Sequence, residues 1–293
     1  MTGSAVTLHP HAKINLLLRV LAREADGYHG LETLFCLVSL TDTLTVERRE
    51  GRGASIEVSG LEAGPPGDNL VVRAAHAVLE ATGHRFAVHL TLEKRIPARA
   101  GLGGGSSDAA AALQAVNQLA GNAVPRHELL QFAGRLGSDV PFFFSGAPLA
   151  LGWGHGQRIL RLPPLPSAPA LLLVPPTGIT TAEAYGWIGS ARHETWWRGA
   201  LALDLDALSR WGDIGRMAGN DFESVVFARH PEIRAAFEAL VGTRPLVCRM
   251  SGSGSALFAV YRSARDREDA RMMLGPKHGA LFSVETLATP PTI

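Results

Sequence analysis

Residues 97–113 read PARAGLGGGSSDAAAAL, four glycines and two serines running straight into alanines. Glycine is the weakest helix former apart from proline, and alanine is the strongest. A chain with this order passes abruptly from a loop into a helix. Gly101, Gly103, Gly104 and Gly105 are free to take positive φ, and without a Cβ they let a ligand approach the backbone. Ser106, Ser107 and Asp108 are good N-capping types, and residues 109–119 contain neither Pro nor Gly. A helix start leaves N–H groups unpaired and carries about half a positive charge. Bare backbone beside that partial charge predicts an anion site, and phosphate is the usual anion. The blander alternative is a flexible loop ahead of a well-capped helix.

Spacing excludes two familiar phosphate loops. A Walker A loop requires Gly-Lys-Ser/Thr, and no Lys follows these glycines. A dinucleotide-binding fingerprint requires Gly at its sixth position, which counted from Gly101 is Ser106.

The remaining chain narrows the class. Its 293 residues are enough for two domains with proper cores, and 46% hydrophobic with 19% charged residues fits a soluble globular protein. A net charge of +1 offers no basic field for nucleic acid or an anionic membrane, so neither is expected as a partner. Cys36 and Cys248 lie in apolar stretches and read as reduced core residues, which points to a cytoplasmic setting. The apolar run at 14–18 is interrupted by Arg19, too short for a signal peptide core or a membrane span. His193-Glu194-Thr195-Trp196-Trp197 opens like a zinc helix but lacks the second His, so no protein-built metal site is expected.

Strand patterns fall at 11–20, 53–60, 86–97, 171–176 and 280–288, with further strand-like apolar stretches in 25–50. Helical patterns fall at 68–83, 125–137, 232–240 and 264–274. Residues 245–261 read as strand, glycine turn, strand, and the Trp-rich stretch 187–211 is unassigned. Four Pro within 162–170 mark a boundary, predicting domains at 1–162 and 163–293. The mixture of strands and helices lacks the regular alternation of a doubly wound sheet and indicates an α+β class.

Two charged residues sit where charge is costly. Lys13 is a lone lysine in the apolar pattern AKINL, and Asp139 lies between a Gly-Ser turn and PFFF. Alone, Lys13 also reads as an edge lysine facing water, and Asp139 as a cap. Together they read as an ion pair beside a transferred phosphoryl group. There Asp139 would orient or accept a hydroxyl proton, and Lys13 would stabilise developing charge.

The glycine loop resembles the phosphate loop of the GHMP kinases, the superfamily of galactokinase, homoserine kinase, mevalonate kinase and phosphomevalonate kinase. HAKINL at 11–16, GSDVPFF at 137–143 and MSGSGSALFAVY at 250–261 are similar to that family's other motifs and occur in its order. GNDFESVVF at 219–227 resembles a family helix start, so the resemblance spans almost the whole chain. It implies a two-domain GHMP kinase fold, with a ribosomal-S5-domain-2-like N-terminal half and a ferredoxin-like C-terminal half around a cleft. It implies catalytic roles for Lys13 and Asp139, and ATP with Mg²⁺ held mostly by phosphate and water. ATP contacts are implied for Asn69, Lys94, Pro97, Gly101, Leu102, Gly103, Gly104, Gly105, Ser106 and Ser107.

ADGYH at 25–29 and GITTAEAY at 178–185 resemble segments with which a family member holds a cytidine diphosphate sugar alcohol. That likeness implies phosphorylation of the alcohol in isoprenoid precursor biosynthesis. It assigns substrate contacts to Asn15, Tyr28, His29, Thr181, Tyr185, Gly252, Ser253 and Gly254. A monomer or weak homodimer is expected. A GHMP kinase for a smaller alcohol and a non-catalytic nucleotide sensor are the rival readings. Three residues depart from the family pattern: Arg99 stands for a usual Gly, Ala182 for a usual Pro, and Tyr185 for a usual Phe.

Overall fold

The computed structural model describes residues 4–23, 29–60, 69–190 and 204–291. Its first half runs β1 (Ala5–Leu8), β2 (His11–Arg23), β3 (His29–Thr41), β4 (Thr43–Arg49), β5 (Gly53–Gly60), α1 (Leu70–Ala81), β6 (Ala87–Lys94), α2 (Gly104–Leu119), α3 (Arg126–Leu136), α4 (Val140–Ser145), β7 (Leu149–Gly154) and β8 (Arg158–Arg161). The second half runs β9 (Pro169–Val174), α5 (Thr181–Ser190), α6 (Trp211–Met217), β10 (Gly219–Asn220), α7 (Phe222–Arg229), α8 (Pro231–Gly242), β11 (Val247–Met250), β12 (Leu257–Val260), α9 (Ala264–Leu274) and β13 (Ala280–Glu285). The division expected at 162/163 lies between the end of β8 and the start of β9.

Three sheets, ordered β1-β4-β6-β5, β10-β2-β3-β7-β8 and β11-β12-β9-β13, carry the fold. In the first, β5 and β6 run parallel and α1 makes the crossover that a parallel pair requires. Helices α1 and α2 cover this sheet: Ala74, Val78 and Leu79 meet Leu44, Val46, Leu90 and Leu92 in one core. The alanines of α2 at 109–112 are all buried there.

Strand periodicity explains why the central strands are apolar throughout. Successive residues point to opposite faces. On β3, Phe35 and Leu37 enter the core beneath α2, while Leu34, Cys36 and Val38 enter a second core. That second core is shared between the halves. It takes Ile14 and Leu16 from β2, Leu172 from β9, Phe258 from β12 and Val284 from β13. Strands β9 and β12 alternate in the same way, sending Leu171, Leu173, Leu257 and Ala259 into a third core under α7, α8 and α9. Cys36 and Cys248 are both buried free thiols, and burial pushes the Cys36 thiol up to about 12.

One connection ties the halves further. β10 pairs in parallel with β2, Gly219 opposite Leu17 and Asn220 opposite Leu18. Within the first half, Asn117 near the end of α2 holds the approach to α3. Its Nδ2 donates to the Val124 carbonyl at 3.0 Å, and the Val124 N–H donates to its Oδ1 at 2.9 Å. Asn117→Ala strands both buried groups and is expected to cost about 2–4 kcal/mol. A shift of the urea midpoint with unchanged slope measures it; an unaltered midpoint refutes the clamp.

Candidate active site

Alternation along β2 resolves the oddity of its lysine. Ala12, Ile14 and Leu16 face the shared core, so Lys13 and Asn15 project together from the other face. Lys13 Nζ donates to Asn15 Oδ1 at 2.5 Å and lies 3.5 Å from Asp139 Oδ2. Asn15 Nδ2 donates to Thr33 Oγ1 at 2.7 Å, and Thr33 donates to the Leu17 carbonyl at 2.8 Å. With its proton committed to a carbonyl, Thr33 Oγ1 accepts from Asn15, and this fixes the Asn15 oxygen toward Lys13. The Lys13 side chain is 3% exposed and that of Asp139 32%. Burial lowers the Lys13 ammonium from the ordinary lysine range, and Asp139 opposes that shift. Asp139 stands just before α4 but makes no side-chain capping bond, so its carboxylate remains available to Lys13 and the cleft.

The glycine loop enters its helix earlier than the sequence suggested. Gly103, at φ 74°, is the N-cap; Ser106, Ser107 and Asp108 lie inside α2 and cap nothing at its start. Sterics give the reason. A Cβ on Gly103 would stand 2.7 Å from Phe143 Cζ and 3.1 Å from Lys13 Cγ, so only glycine turns there. The turn at 251–254 docks on this loop from the second half. Ser251 Oγ donates to the Gly101 carbonyl at 2.8 Å, and a Cβ on Gly101 would collide with the Ser251 carbonyl at 2.0 Å. Asn220 braces the turn, donating to the carbonyls of Met250 at 2.7 Å and Gly252 at 2.8 Å. β10 brings that asparagine here.

Beneath the loop lies a buried ion cluster. Lys94 Nζ is bonded to Asp42 Oδ2, and to Asp108 Oδ2 at 2.7 Å. Asp42 Oδ1 also accepts the backbone N–H groups of Arg95 at 2.5 Å and Ile96 at 2.8 Å. Burial works against the Lys94 charge, but the two carboxylates outweigh it and raise its pKa. Burial pushes the Asp108 carboxyl up to about 7, against the pull of Lys94 and with Asp42 adding to the rise. Lys94, expected as a nucleotide contact, lines the cleft with its ammonium already committed to these carboxylates.

The cleft has a volume of about 1250 Å³. Lys13, Asn15, Asp139, Asn69, Pro97 and residues 101–106 line it, as do His29, Thr181, Tyr185, Gly252 and Ser253. The rings of His29 and Tyr185 stack at 5.6 Å with planes 21° apart, and Tyr185 meets Phe222 edge-on at 5.0 Å. Burial, with Asp139 adding, raises the pKa of the Tyr185 hydroxyl. Thr181 Oγ1 lies 3.3 Å from Ser253 Oγ. Asn69 caps α1, accepting from the Val71 N–H at 2.9 Å.

Two expected contacts lie off this surface. Ser107 is buried and lines a separate small pocket with Leu8 and His11, because the turn of α2 carries it round to the β1 side. Gly254 sits behind its turn, where a Cβ would meet Met250 Sδ at 2.9 Å. Tyr28 lies outside the described residues. Sequence reasoning did not assign Asp42, Thr33, Asn220 or Ser251. Asn220 and Ser251 carried a signal, lying in the GNDFESVVF and MSGSGSALFAVY segments.

Residues 69–147 match the profile of the GHMP kinases N terminal domain, and residues 202–280 that of the GHMP kinases C terminal domain. The chain is 41% identical to a 4-diphosphocytidyl-2-C-methyl-D-erythritol kinase of Solibacter usitatus (strain Ellin6076), over 88% of this chain and 83% of that one. It is also 41% identical to the enzyme of that name from Moorella thermoacetica (strain ATCC 39073 / JCM 9320), over 91% and 92%. A crystal structure of 4-(cytidine 5'-diphospho)-2C-methyl-D-erythritol kinase superposes with a TM-score of 0.80 at 33% identity, covering 96% of this chain and 99% of that one. A homoserine kinase from Cytophaga hutchinsonii ATCC 33406 shares the fold, with a TM-score of 0.71 at 18% identity, covering 98% and 96%.

The ion cluster makes stability depend on pH. Folding raises the Asp108 pKa from about 4 to about 7, so in that window the folded chain holds a proton that the unfolded chain lacks. The contribution is full below about pH 4 and is lost as pH rises through about 7. Asp108→Asn mimics the protonated form. Its melting temperature relative to wild type is expected to rise by a few degrees between about pH 5 and about pH 8. A difference independent of pH would exclude this titration.

Proposed function

The chain belongs to the GHMP kinase family, among the 4-diphosphocytidyl-2-C-methyl-D-erythritol kinases, and on that premise we propose how its residues divide the work. It is an ATP-dependent kinase that phosphorylates the 2-hydroxyl of 4-diphosphocytidyl-2-C-methyl-D-erythritol, a step of the methylerythritol phosphate route to isoprenoid precursors. The observation that carries the reading is the pairing of buried Lys13 with half-buried Asp139 where the glycine loop meets the cleft.

Asp139 orients the 2-hydroxyl and accepts its proton as the oxygen attacks. Lys13, aimed by Asn15, lies where charge builds on the transferred phosphoryl group. Gly103, Gly104 and Gly105 with the first N–H groups of α2 take the phosphates of ATP. A Cβ at Gly105 would meet nothing within 4 Å, so backbone there stands open to a ligand. Mg²⁺ arrives with the nucleotide, held by phosphate oxygens and water. Among the described residues no group of three His, Cys, Asp or Glu that could hold a metal occurs.

Cytosine rests on the ring wall of His29 and Tyr185, with Thr181 and Ser253 as polar neighbours. Gly252 closes the turn over the diphosphate. The enzyme works in the cytoplasm as a monomer or weak homodimer; no described helix is long and apolar enough to cross a membrane.

Asp139→Asn is expected to retain ATP binding and lose roughly 10²–10⁴-fold in kcat. Lys13→Ala should lose turnover too, with the double variant little worse than either single one, because the two act as a unit. Near-normal kcat for Asp139→Asn would remove it from the mechanism.

A coupled ADP-release assay tests the substrate, using the cytidine diphosphate alcohol, its uridine analogue, homoserine and mevalonate. Cytosine presents an amino donor and a ring-nitrogen acceptor, and uracil reverses the pair. Mismatched buried groups cost about 1–3 kcal/mol each, so a preference on the order of a hundredfold for cytidine is expected. Preferential turnover of homoserine or mevalonate would overturn the substrate and leave the family standing.

A further inference from the structure

Among the described residues, the Lys and Arg lining the cleft are Lys13, Lys94 and Arg99. Two are already engaged. Lys13 faces Asp139, and Lys94 is held between Asp42 and Asp108. These three carboxylates match or exceed the two lysines, so that part of the wall offers no surplus positive charge to a nucleotide. Arg99 differs. It is exposed, and among the described residues no ion pair or hydrogen bond engages its guanidinium.

Its backbone is the second observation. Arg99 has φ 53°, in the left-handed region that glycine enters freely and other residues rarely adopt. It stands two residues before Gly101, where glycine would relieve that conformation. A side chain kept on such backbone points to a use for the side chain. The location supplies the use. A methyl on Gly178 would lie 4.0 Å from Arg99 Cβ, so the residue occupies the seam between the glycine loop and the segment leading to Thr181 and Tyr185.

We propose that Arg99 is a phosphate-binding residue of the cleft, its guanidinium gripping the diphosphate of a bound nucleotide. On the kinase reading the cleft takes two phosphate chains, the tail of ATP and the diphosphate of the acceptor, and either would present its oxygens to Arg99. A guanidinium donates in a planar fork that fits two phosphate oxygens at once. The identification of the acceptor rests on the kinase reading above; the assignment of phosphate to Arg99 does not require turnover.

The test is isothermal calorimetry of the full chain with ADP and, separately, with CDP, for wild type, Arg99→Gly and Arg99→Lys. Arg99→Gly removes the charge and suits the backbone, so its melting temperature should equal or exceed that of wild type. Its affinity for one or both nucleotides should fall about ten-fold, the loss expected for a charge-assisted pair. The salt dependence of that affinity should flatten, and Arg99→Lys should recover part of the loss. Weakening of ADP alone assigns Arg99 to the ATP tail; weakening of CDP alone assigns it to the acceptor. Unchanged affinity for both overturns the proposal. Wild type that binds ADP but not CDP would undermine the acceptor reading and leave Arg99 to be judged on ADP alone. Wild type that binds neither overturns both.

Discussion

A buried lysine held by two buried carboxylates anchors this cleft. Ions removed from water are costly and persist only when paired and hydrogen-bonded. Lys94 ends β6, Asp42 lies between β3 and β4, and Asp108 comes from α2, so one cluster fixes three segments. Asp42 also takes the N–H groups of Arg95 and Ile96, which aims the chain leaving β6 toward the glycine loop. The loop can be almost bare of side chains because its two ends are held from below.

The second constraint is the sharing of strands between cores. β3, β9 and β12 each divide their apolar residues between two interiors. The halves are therefore joined by a continuous apolar layer, over which the glycine loop meets the turn at 251–254. On the central strands β2 and β3 the buried polar side chains, Lys13, Asn15 and Thr33, all line the cleft.

Local patterns made much of this legible. β5 falls on the alternating stretch 53–60, and α9 on the pattern at 264–274, because each carries its own periodicity and boundaries. Lys13 and Asp139 were visible as charges in apolar surroundings. Other features depended on distance. The pairing of Lys94 with Asp42 joins residues 52 apart in the chain, and nothing local marks Asp42 as its partner. The start of α2 shifted because Phe143 and Lys13, remote in sequence, leave room only for glycine at the cap. β10 has just two residues and no periodicity to read; it exists because β2 offers an edge. Helix α5 was overlooked where Gly186 interrupts its pattern and the Trp-rich stretch begins.

The strand β10 has a consequence for the order in which the protein is made. Val20 N–H donates to Asp221 across 201 residues, and Ser251 reaches Gly101 across 150. Contacts so far apart form late, since long loops must close before any contact stabilises them. During synthesis the N-terminal half emerges with Lys13, Asp139 and the glycine loop already in its sequence, but without the turn that closes over them. A nascent chain thus carries its proposed catalytic pair long before it carries an assembled site, and phosphoryl transfer waits for the last quarter of the polypeptide.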